Sequence, residues 1–226
     1  MKVAIIGAGN VGGALSKSFS RAGHSVIISD RDPEEAQRMG SAVGGSGTAD
    51  VAQAVAQSEV VVLAVPFAAS GEQVCKNIAA QIKGKIVIDA TNPMKPDMSG
   101  LITEGGPSAA ERIQEWLPSG RVVKAFNTVF ASLQENPVSD GEQVDGLVAG
   151  DDEQAKETVL KMVGEIGFRP VDVGALARAK ELEAMAYLNI VMQVVMKGQW
   201  GSSWKLLAPP AKAVRAAAAA QTGARR

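Results

Sequence analysis

Three glycines near the start of the chain, Gly7, Gly9 and Gly12, have the spacing G-x-G-x-x-G. They follow an apolar run at residues 3–6 and open a helical pattern over residues 10–22. In that context the first glycine permits a tight turn, the second lets a pyrophosphate approach the backbone, and the third lets helix and strand pack closely. The alternative is an ordinary turn between a strand and a helix. We favour a bound dinucleotide, whose pyrophosphate would lie at the positive end of the helix on Gly7, Ala8, Gly9, Asn10, Val11 and Gly12.

The end of the second predicted strand is where such a site distinguishes NAD from NADP. An acidic side chain there binds ribose hydroxyls and favours NAD, whereas an arginine can pair with a 2′-phosphate and favours NADP. The sequence places Ser29, Asp30 and Arg31 in succession, about twenty residues beyond the glycines, as this kind of site requires. All three are predicted to contact the adenosine ribose. These residues alone leave the choice between NADP and NAD open.

Further side chains follow the later predicted strands, whose carboxyl ends meet at the edge where ligands of doubly wound sheets bind. Val65, Pro66 and Phe67 follow the fourth of these strands and are expected to line the nicotinamide ribose. Amide and hydroxyl side chains follow the next two strands, although residues of these types also cap ordinary loops. The residues predicted for the acceptor side are Asn92, Pro93 and Asn127.

A dehydrogenase acting on an alcohol or a hydroxy acid needs a general acid or base, and the sequence offers no obvious one. His24 is the only histidine and precedes the second strand, Lys124 falls within a strand, and Cys75 falls on an apolar helix. A single histidine and a single cysteine predict no metal site. Hydride transfer between nicotinamide and another conjugated ring needs only that the two faces be positioned. A flavin-like partner therefore fits better than an alcohol, and no catalytic residue is assigned.

The composition excludes several classes of partner. The chain has 226 residues, 46% of them hydrophobic, and a formal net charge of −1. No basic field exists to attract a nucleic acid, and no apolar run approaches the length of a membrane span. The single cysteine allows no intramolecular disulfide and indicates a cytoplasmic protein. The expected partner is a small-molecule substrate.

Strands and helices alternate along most of the chain, which predicts an α/β fold, a Rossmann doubly wound and mostly parallel sheet with a small C-terminal helical extension. We expect a dinucleotide-binding domain over residues 1–175, the extension over 176–208 and a low-complexity tail over 209–226. One helix is predicted over residues 68–82, and a later one begins at a cap residue, Asp151. A long helix rich in Leu and Met follows residue 174, and it predicts a possible homodimer through its apolar face.

Several segments together resemble a known family. They are "IIGAGNVGGAL", "LAVPF", "VIDATNP", "VVKAFNT", and "VAGDDEQAKETVLKMVGEIGFRPVDVGAL" with the following "ARAKELE". The chain is similar over residues 2–195 to the NADP-dependent coenzyme F420 reductases. The resemblance implies a Rossmann protein, often dimeric, that moves a hydride between nicotinamide and a deazaflavin. Arg31 matches the family's 2′-phosphate arginine, whereas Asp30 and Asn127 depart from its usual residues.

The main hypothesis is therefore an NAD(P)H-dependent oxidoreductase whose second substrate is coenzyme F420 or a flavin. Two alternatives come from other classes. The first is an NADPH-dependent reductase of a small carbonyl or imine, with Lys124 or Tyr187 as its acid or base. The second is a non-catalytic NADPH-binding sensor.

Overall fold

A computed structural model of the protein describes residues 1–214. It contains ten strands, eight of which form one sheet, and eight α-helices. The strands are β1 (Lys2–Ile6), β2 (Ser25–Ser29), β3 (Ser46–Thr48), β4 (Val60–Leu63), β5 (Ile86–Asp89), β6 (Arg121–Ala125), β7 (Val138–Ser139), β8 (Glu142–Gln143), β9 (Asp145–Gly150) and β10 (Arg169–Gly174). The helices are α1 (Asn10–Arg21), α2 (Pro33–Ala42), α3 (Val51–Ala56), α4 (Glu72–Ile78), α5 (Ala109–Trp116), α6 (Ala131–Glu135), α7 (Glu153–Glu165) and α8 (Ala179–Val195).

The sheet confirms the predicted doubly wound topology. Its strand order is β10-β9-β6-β5-β4-β1-β2-β3, and β7 and β8 form a separate hairpin. All neighbouring strands are parallel except β6 and β9, which are antiparallel. The strand order reverses between β1 and β4, and a crevice for ligands forms at such a point outside the carboxyl ends of the strands.

Two hydrophobic clusters cover the two faces of the sheet. Val3 and Ile5 of β1 pack on one face with helices α1 and α7, while Ala4 and Ile6 pack on the other with α3, α4 and α5. Strands covered on both faces become continuous apolar runs, as the sequence of β1 and β4 shows. The carboxyl ends of the strands are thereby held in fixed positions relative to the helices that follow them.

Three helix boundaries differ from the sequence prediction. The cap of α7 is Asp152, whose side chain accepts the Ala155 N–H at 2.8 Å, whereas the Asp151 carboxylate accepts the Leu176 N–H. Asp151 thus ties β9 to the segment before α8 instead of starting a helix. The helix expected at residues 68–82 opens as a π-helical turn, Phe67–Gly71, and its α-helical part ends at Ile78. The long late helix begins only at Ala179, after a 3-10 turn, and ends at Val195.

The sole histidine and the sole cysteine lie away from the carboxyl ends of the strands. His24 precedes β2 and contacts Glu165 at 3.1 Å, and burial together with the N-terminal amine lowers its pKa. Cys75 is fully buried in α4, where burial raises the pKa of its thiol to about 12. Neither side chain has the placement of a catalytic group. Within residues 1–214, no helix is long and apolar enough to cross a membrane.

Candidate functional site

The glycine-rich turn between β1 and α1 has the geometry of a pyrophosphate cradle. Gly7 has φ +109°, and a Cβ on it would lie 2.5 Å from the Ala64 carbonyl oxygen. A Cβ on Gly12 would overlap the Gly7 carbonyl, whereas one on Gly9 would meet nothing within 4 Å. Two glycines are therefore required by packing, and Gly9 faces open space. The first hydrogen bond of α1 runs from the Gly13 N–H to the Gly9 oxygen, so the amides of Gly9, Asn10, Val11 and Gly12 remain for an anion.

Asp30 is turned back toward that cradle. Its carboxylate accepts the Ala8 N–H at 2.7 Å with one oxygen and the Asp32 N–H at 3.0 Å with the other. The buried Ser29 adds a second tie, because its carbonyl accepts the Gly7 N–H at 2.8 Å. Arg31 is exposed, and within the described chain its guanidinium has no ion-pair partner. The conflict between the two adjacent residues thus has a structural answer: Asp30 fixes the loop, and Arg31 is available to a ligand.

The residues after β4 divide between surface and core. Pro66 is exposed and Val65 half-buried at the carboxyl end of the strand. Phe67 is only 5% exposed, and its ring stacks on Trp116 with centroids 5.5 Å apart. Val65 and Pro66 therefore remain accessible to a ribose, whereas the Phe67 ring supports them from the interior.

Asn92 and Asn127, from the ends of β5 and β6, are brought together as the sequence predicted. The Asn127 side-chain amide donates to Asn92 Oδ1 at 3.1 Å and to the Leu182 carbonyl at 3.0 Å, and the Asn92 side-chain amide donates to the backbone carbonyl of Asn127 at 3.1 Å. The Asn127 Oδ1 is buried and accepts no hydrogen bond from residues 1–214. Pro93 follows Asn92 in the chain and is buried. Because an unpaired buried oxygen is costly, this carbonyl is suited to accept an N–H from a ligand.

A cavity of about 370 Å³ opens beside this pair. It lies between the start of α1, the segment after β6, and α8 with the residues that follow it. Its lining consists of carboxamides, hydroxyls, aliphatic groups and aromatic rings, and within the described chain it includes no ionisable side chain. The lining residues are Asn10, Val11, Ala90, Asn92, Phe126, Asn127, Thr128, Val129, Phe130, Ala131, Ser132, Gln134, Ala186, Asn189, Ile190, Gln199 and Trp200.

Lys124 belongs to a buried ionic cluster, not to the cavity. Its ammonium donates to Asp89 Oδ2 at 2.8 Å, to Glu183 Oε1 at 3.0 Å and to the Thr91 carbonyl at 2.7 Å. All three charged side chains are at most 1% exposed. Burial disfavours the charge on Lys124, but the two carboxylates outweigh it and hold the pKa of the ammonium above its usual value. Lys124 therefore stays protonated. Its three N–H donors are all bound to groups inside the protein, where it cannot exchange a proton with a substrate.

The sequence and the fold are similar to those of known proteins. A family model described as "NADP oxidoreductase coenzyme F420-dependent" matches residues 2–93. The F420-dependent NADP reductase of Methanothermobacter thermautotrophicus is 34% identical over 212 residues, which cover 86% of this chain and 90% of that protein. The chain belongs to this family. It is accordingly an NADP-dependent oxidoreductase with a Rossmann fold.

Two further relatives show how far this oxidoreductase family extends. A candidate F420-dependent NADP reductase from Arthrobacter sp. FB24 has a crystal structure that superposes with a TM-score of 0.82 at 26% identity, covering 91% of this chain and 99% of that one. The metalloreductase STEAP3 of Rattus norvegicus is 34% identical over 185 residues, or 81% of this chain. The chain spans only about a third of the metalloreductase, since the match covers 36% of it.

The site of this family member includes residues that the sequence did not single out. Phe130, Ile190 and Trp200 contribute large apolar side chains to the cavity wall, and Gln199 adds an amide. They lie after β6, on α8 and beyond it, in segments without strong periodicity. One signal was present in the sequence: two of the three tryptophans fall within "WGSSW", residues 200–204, in a chain with only 4% aromatic residues.

Proposed function

We propose that this oxidoreductase transfers a hydride between NADP(H) and a planar ring that carries an imide, namely the deazaflavin of coenzyme F420 or a flavin. The cavity lining supports this proposal most directly, because it combines amides and aromatic rings with no charged group. An imide ring presents N–H and C=O groups side by side, which carboxamides can match as acceptors and donors. A carboxylate substrate would need a cation in the cavity.

The lack of an acid or base at the cavity supports the same choice. Lys124 is fully buried in its ionic cluster, and the Tyr187 hydroxyl lies 3.4 Å from the Met98 carbonyl, away from the cavity. The reaction moves a hydride from NADPH to the ring, with one further proton taken from water, and leaves NADP⁺ and the reduced ring. The role of the protein is to hold two ring faces together and exclude water.

The dinucleotide would lie across the carboxyl ends of β1, β2 and β4. In this arrangement the pyrophosphate lies on the glycine-rich turn, formed by Gly7, Ala8, Gly9, Asn10, Val11 and Gly12. Ser29 and Asp30 fix the loop beside it. Arg31 pairs with the 2′-phosphate. Val65, Pro66 and Phe67 form and support the wall at the nicotinamide ribose. Asn92, Pro93 and Asn127 face the two rings. Residues 1–175 then serve as the dinucleotide domain, and residues 176–208 complete the acceptor side.

Turnover with defined acceptors tests the function. The purified chain with NADPH under anaerobic conditions should reduce F420, measured by the loss of its visible absorbance, or FMN. Reduction of either ring, with no oxidation of NADPH by small carbonyl or imine compounds, is the expected result. NADPH binding without oxidation by any acceptor would instead support a sensor, and rapid imine or ketone reduction would support a small-substrate reductase.

We also propose that the protein acts as a homodimer through α8. Leu188, Met192, Val195 and Met196 are between 37% and 72% exposed and recur at helical spacing, so they form an apolar stripe on the outer side of the helix. Light scattering should give twice the mass of one chain. Leu188→Glu with Met192→Glu should give a monomer, whereas Val138→Glu, at an exposed valine of the β7–β8 hairpin, should not. A monomeric wild type at high concentration contradicts this proposal.

A cytoplasmic location completes the proposal. The single cysteine is buried and unpaired, so the described chain uses no disulfide, as expected in a reducing compartment. Fractionation of cells should recover the protein with the cytoplasmic enzymes, and recovery from another compartment would contradict it.

A further inference from the structure

The segment after α8 is an ordered strap, defined here as residues 197–207. It forms no helix or strand, yet side chains from α8 hold it in place. Gln193 accepts the Trp200 N–H at 2.8 Å and donates to the Ser202 hydroxyl at 2.7 Å, and that hydroxyl donates to Asn189 Oδ1 at 2.5 Å. Asn189 and Gln193 are 4% and 8% exposed. Two buried amides on α8 are thus used to fix the strap.

The far end of the strap is fixed by a second set of contacts. The Leu206 N–H donates to Asp145 Oδ2 at 2.7 Å, and Arg169, paired with the same carboxylate, donates to the Leu206 carbonyl. Hydrogen bonds therefore hold the strap at Trp200, Ser202 and Leu206. Such bonding also maintains the backbone of Trp200 at φ +56°, a region that a bulky residue rarely occupies.

This conformation aims the Trp200 indole at the cavity. The ring meets Phe130 edge to face, with centroids 5.3 Å apart, and the Ser132 hydroxyl donates to the Trp200 carbonyl at 2.9 Å. Trp200 is nevertheless 44% exposed. A large ring held in a strained backbone at a cavity wall, and left partly uncovered, is placed to contact a ligand and not to fill a core.

We propose that Trp200 is a specificity-determining residue, which forms the outer aromatic wall of the cavity and selects acceptors with an extended planar ring. This inference rests on the proposed function and deepens it. The cavity lining then contains both the carboxamides of Asn92 and Asn127 and the indole of Trp200, so a planar ring can hydrogen-bond to the amides and pack on the indole. A small carbonyl compound would leave the indole uncovered.

Trp204 provides a matched control within the same strap. Its indole N–H donates to the Met185 carbonyl at 3.3 Å, and its ring borders a different groove, with Leu147, Val173 and Leu206. Removing the Trp204 ring weakens the strap without touching the cavity. Any effect confined to Trp200 therefore reports contact with the ligand and not the order of the strap.

The experiment compares Trp200→Leu, Trp200→Phe and Trp204→Leu in the full chain. With NADPH saturating, Trp200→Leu should raise the KM for F420 or FMN about three- to tenfold, the value of one aromatic contact, while Trp200→Phe and Trp204→Leu change it less than twofold. The Kd of NADPH should stay within twofold in all three. An unchanged acceptor KM in Trp200→Leu, or an equal rise in Trp204→Leu, overturns the inference.

A binding measurement separates this inference from the proposed function. Lumichrome, a fluorescent tricyclic ring without a side chain, is titrated into the wild type and the variants in the presence of NADP⁺. Loss of affinity in Trp200→Leu alone supports the aromatic wall even if neither F420 nor FMN is reduced, in which case only the proposed function fails. The opposite outcome is also possible. If the protein reduces F420 or FMN, and Trp200→Leu changes neither the affinity for lumichrome nor that for the acceptor, the proposed function stands and Trp200 has no role in specificity.

Discussion

Replacing Lys124 with methionine should lower the free energy of unfolding by about 3–5 kcal/mol, as when one partner of a buried ion pair is removed. Asp89 and Glu183 would then share a dry site without a cation. Lys124 Nζ lies 2.8 Å and 3.0 Å from their carboxylates, and the side chains are at most 1% exposed. Denaturant unfolding followed by far-UV circular dichroism measures the loss.

Replacing Glu183 with glutamine should destabilise the protein less than replacing Lys124, because backbone amides at the start of α5 also bind the Glu183 carboxylate. Glu183 accepts the N–H groups of Ala109 and Ala110 at 3.1 and 3.4 Å, so the positive end of that helix balances the second carboxylate. Glu183→Gln removes one negative charge and leaves Lys124 paired with Asp89. Its cost should be about 1.5–3 kcal/mol, that of one hydrogen bond with a charged partner.

A triple variant tests the role of the buried charges even if Lys124→Met alone does not fold. Asp89→Asn, Lys124→Met and Glu183→Gln together leave no buried charge, so this protein should be more stable than Lys124→Met alone. A cost for Lys124→Met no larger than that of Glu183→Gln would show that the cluster does not depend on its cation.

The parts of the site that sequence could predict are those encoded within a short stretch of chain. Gly7 and Gly12 are required by contacts with the adjacent strand ends and with one another, so their spacing alone indicates the turn. Asn92 and Asn127 were placed together because parallel strands end at one edge of the sheet, and their two 3.1 Å hydrogen bonds confirm it. Local chemistry and sheet topology were sufficient for both.

The parts that sequence could not predict depend on contacts between distant residues. Lys124 meets its partners 35 and 59 residues away, and nothing in a strand pattern distinguishes a buried lysine that is neutralised from one that is reactive. Asp30 could face either a ribose or the loop until its 2.7 Å contact with the Ala8 amide was seen. The strap that carries Trp200 has no hydrophobic period, because side chains of α8 and not its own pattern hold it in place.

The contact between the Asp30 carboxylate and the Ala8 amide bears on the choice of dinucleotide. Arg31→Ala should weaken NADPH binding roughly 10- to 100-fold and leave NADH binding unchanged, since one charge-assisted contact contributes about 1.5–3 kcal/mol. Arg31 is exposed at the end of β2 with no ion pair in the described chain, while Asp30 is committed to two backbone amides. Only the arginine is therefore available to a 2′-phosphate.

Arg38 is the control that separates a direct contact from a change in net charge. It lies in α2 and forms two hydrogen bonds with Glu35, at 2.8 and 2.6 Å, so its guanidinium is already paired. Arg38→Ala removes the same formal charge and should change the Kd of NADPH less than threefold, because its exposed charge is screened by solvent and already paired with Glu35. Titration of the nicotinamide fluorescence gives both constants. Equal losses for NADH and NADPH in Arg31→Ala, or equal losses in the two variants, would exclude a specific contact with the 2′-phosphate, because only that group distinguishes the two dinucleotides.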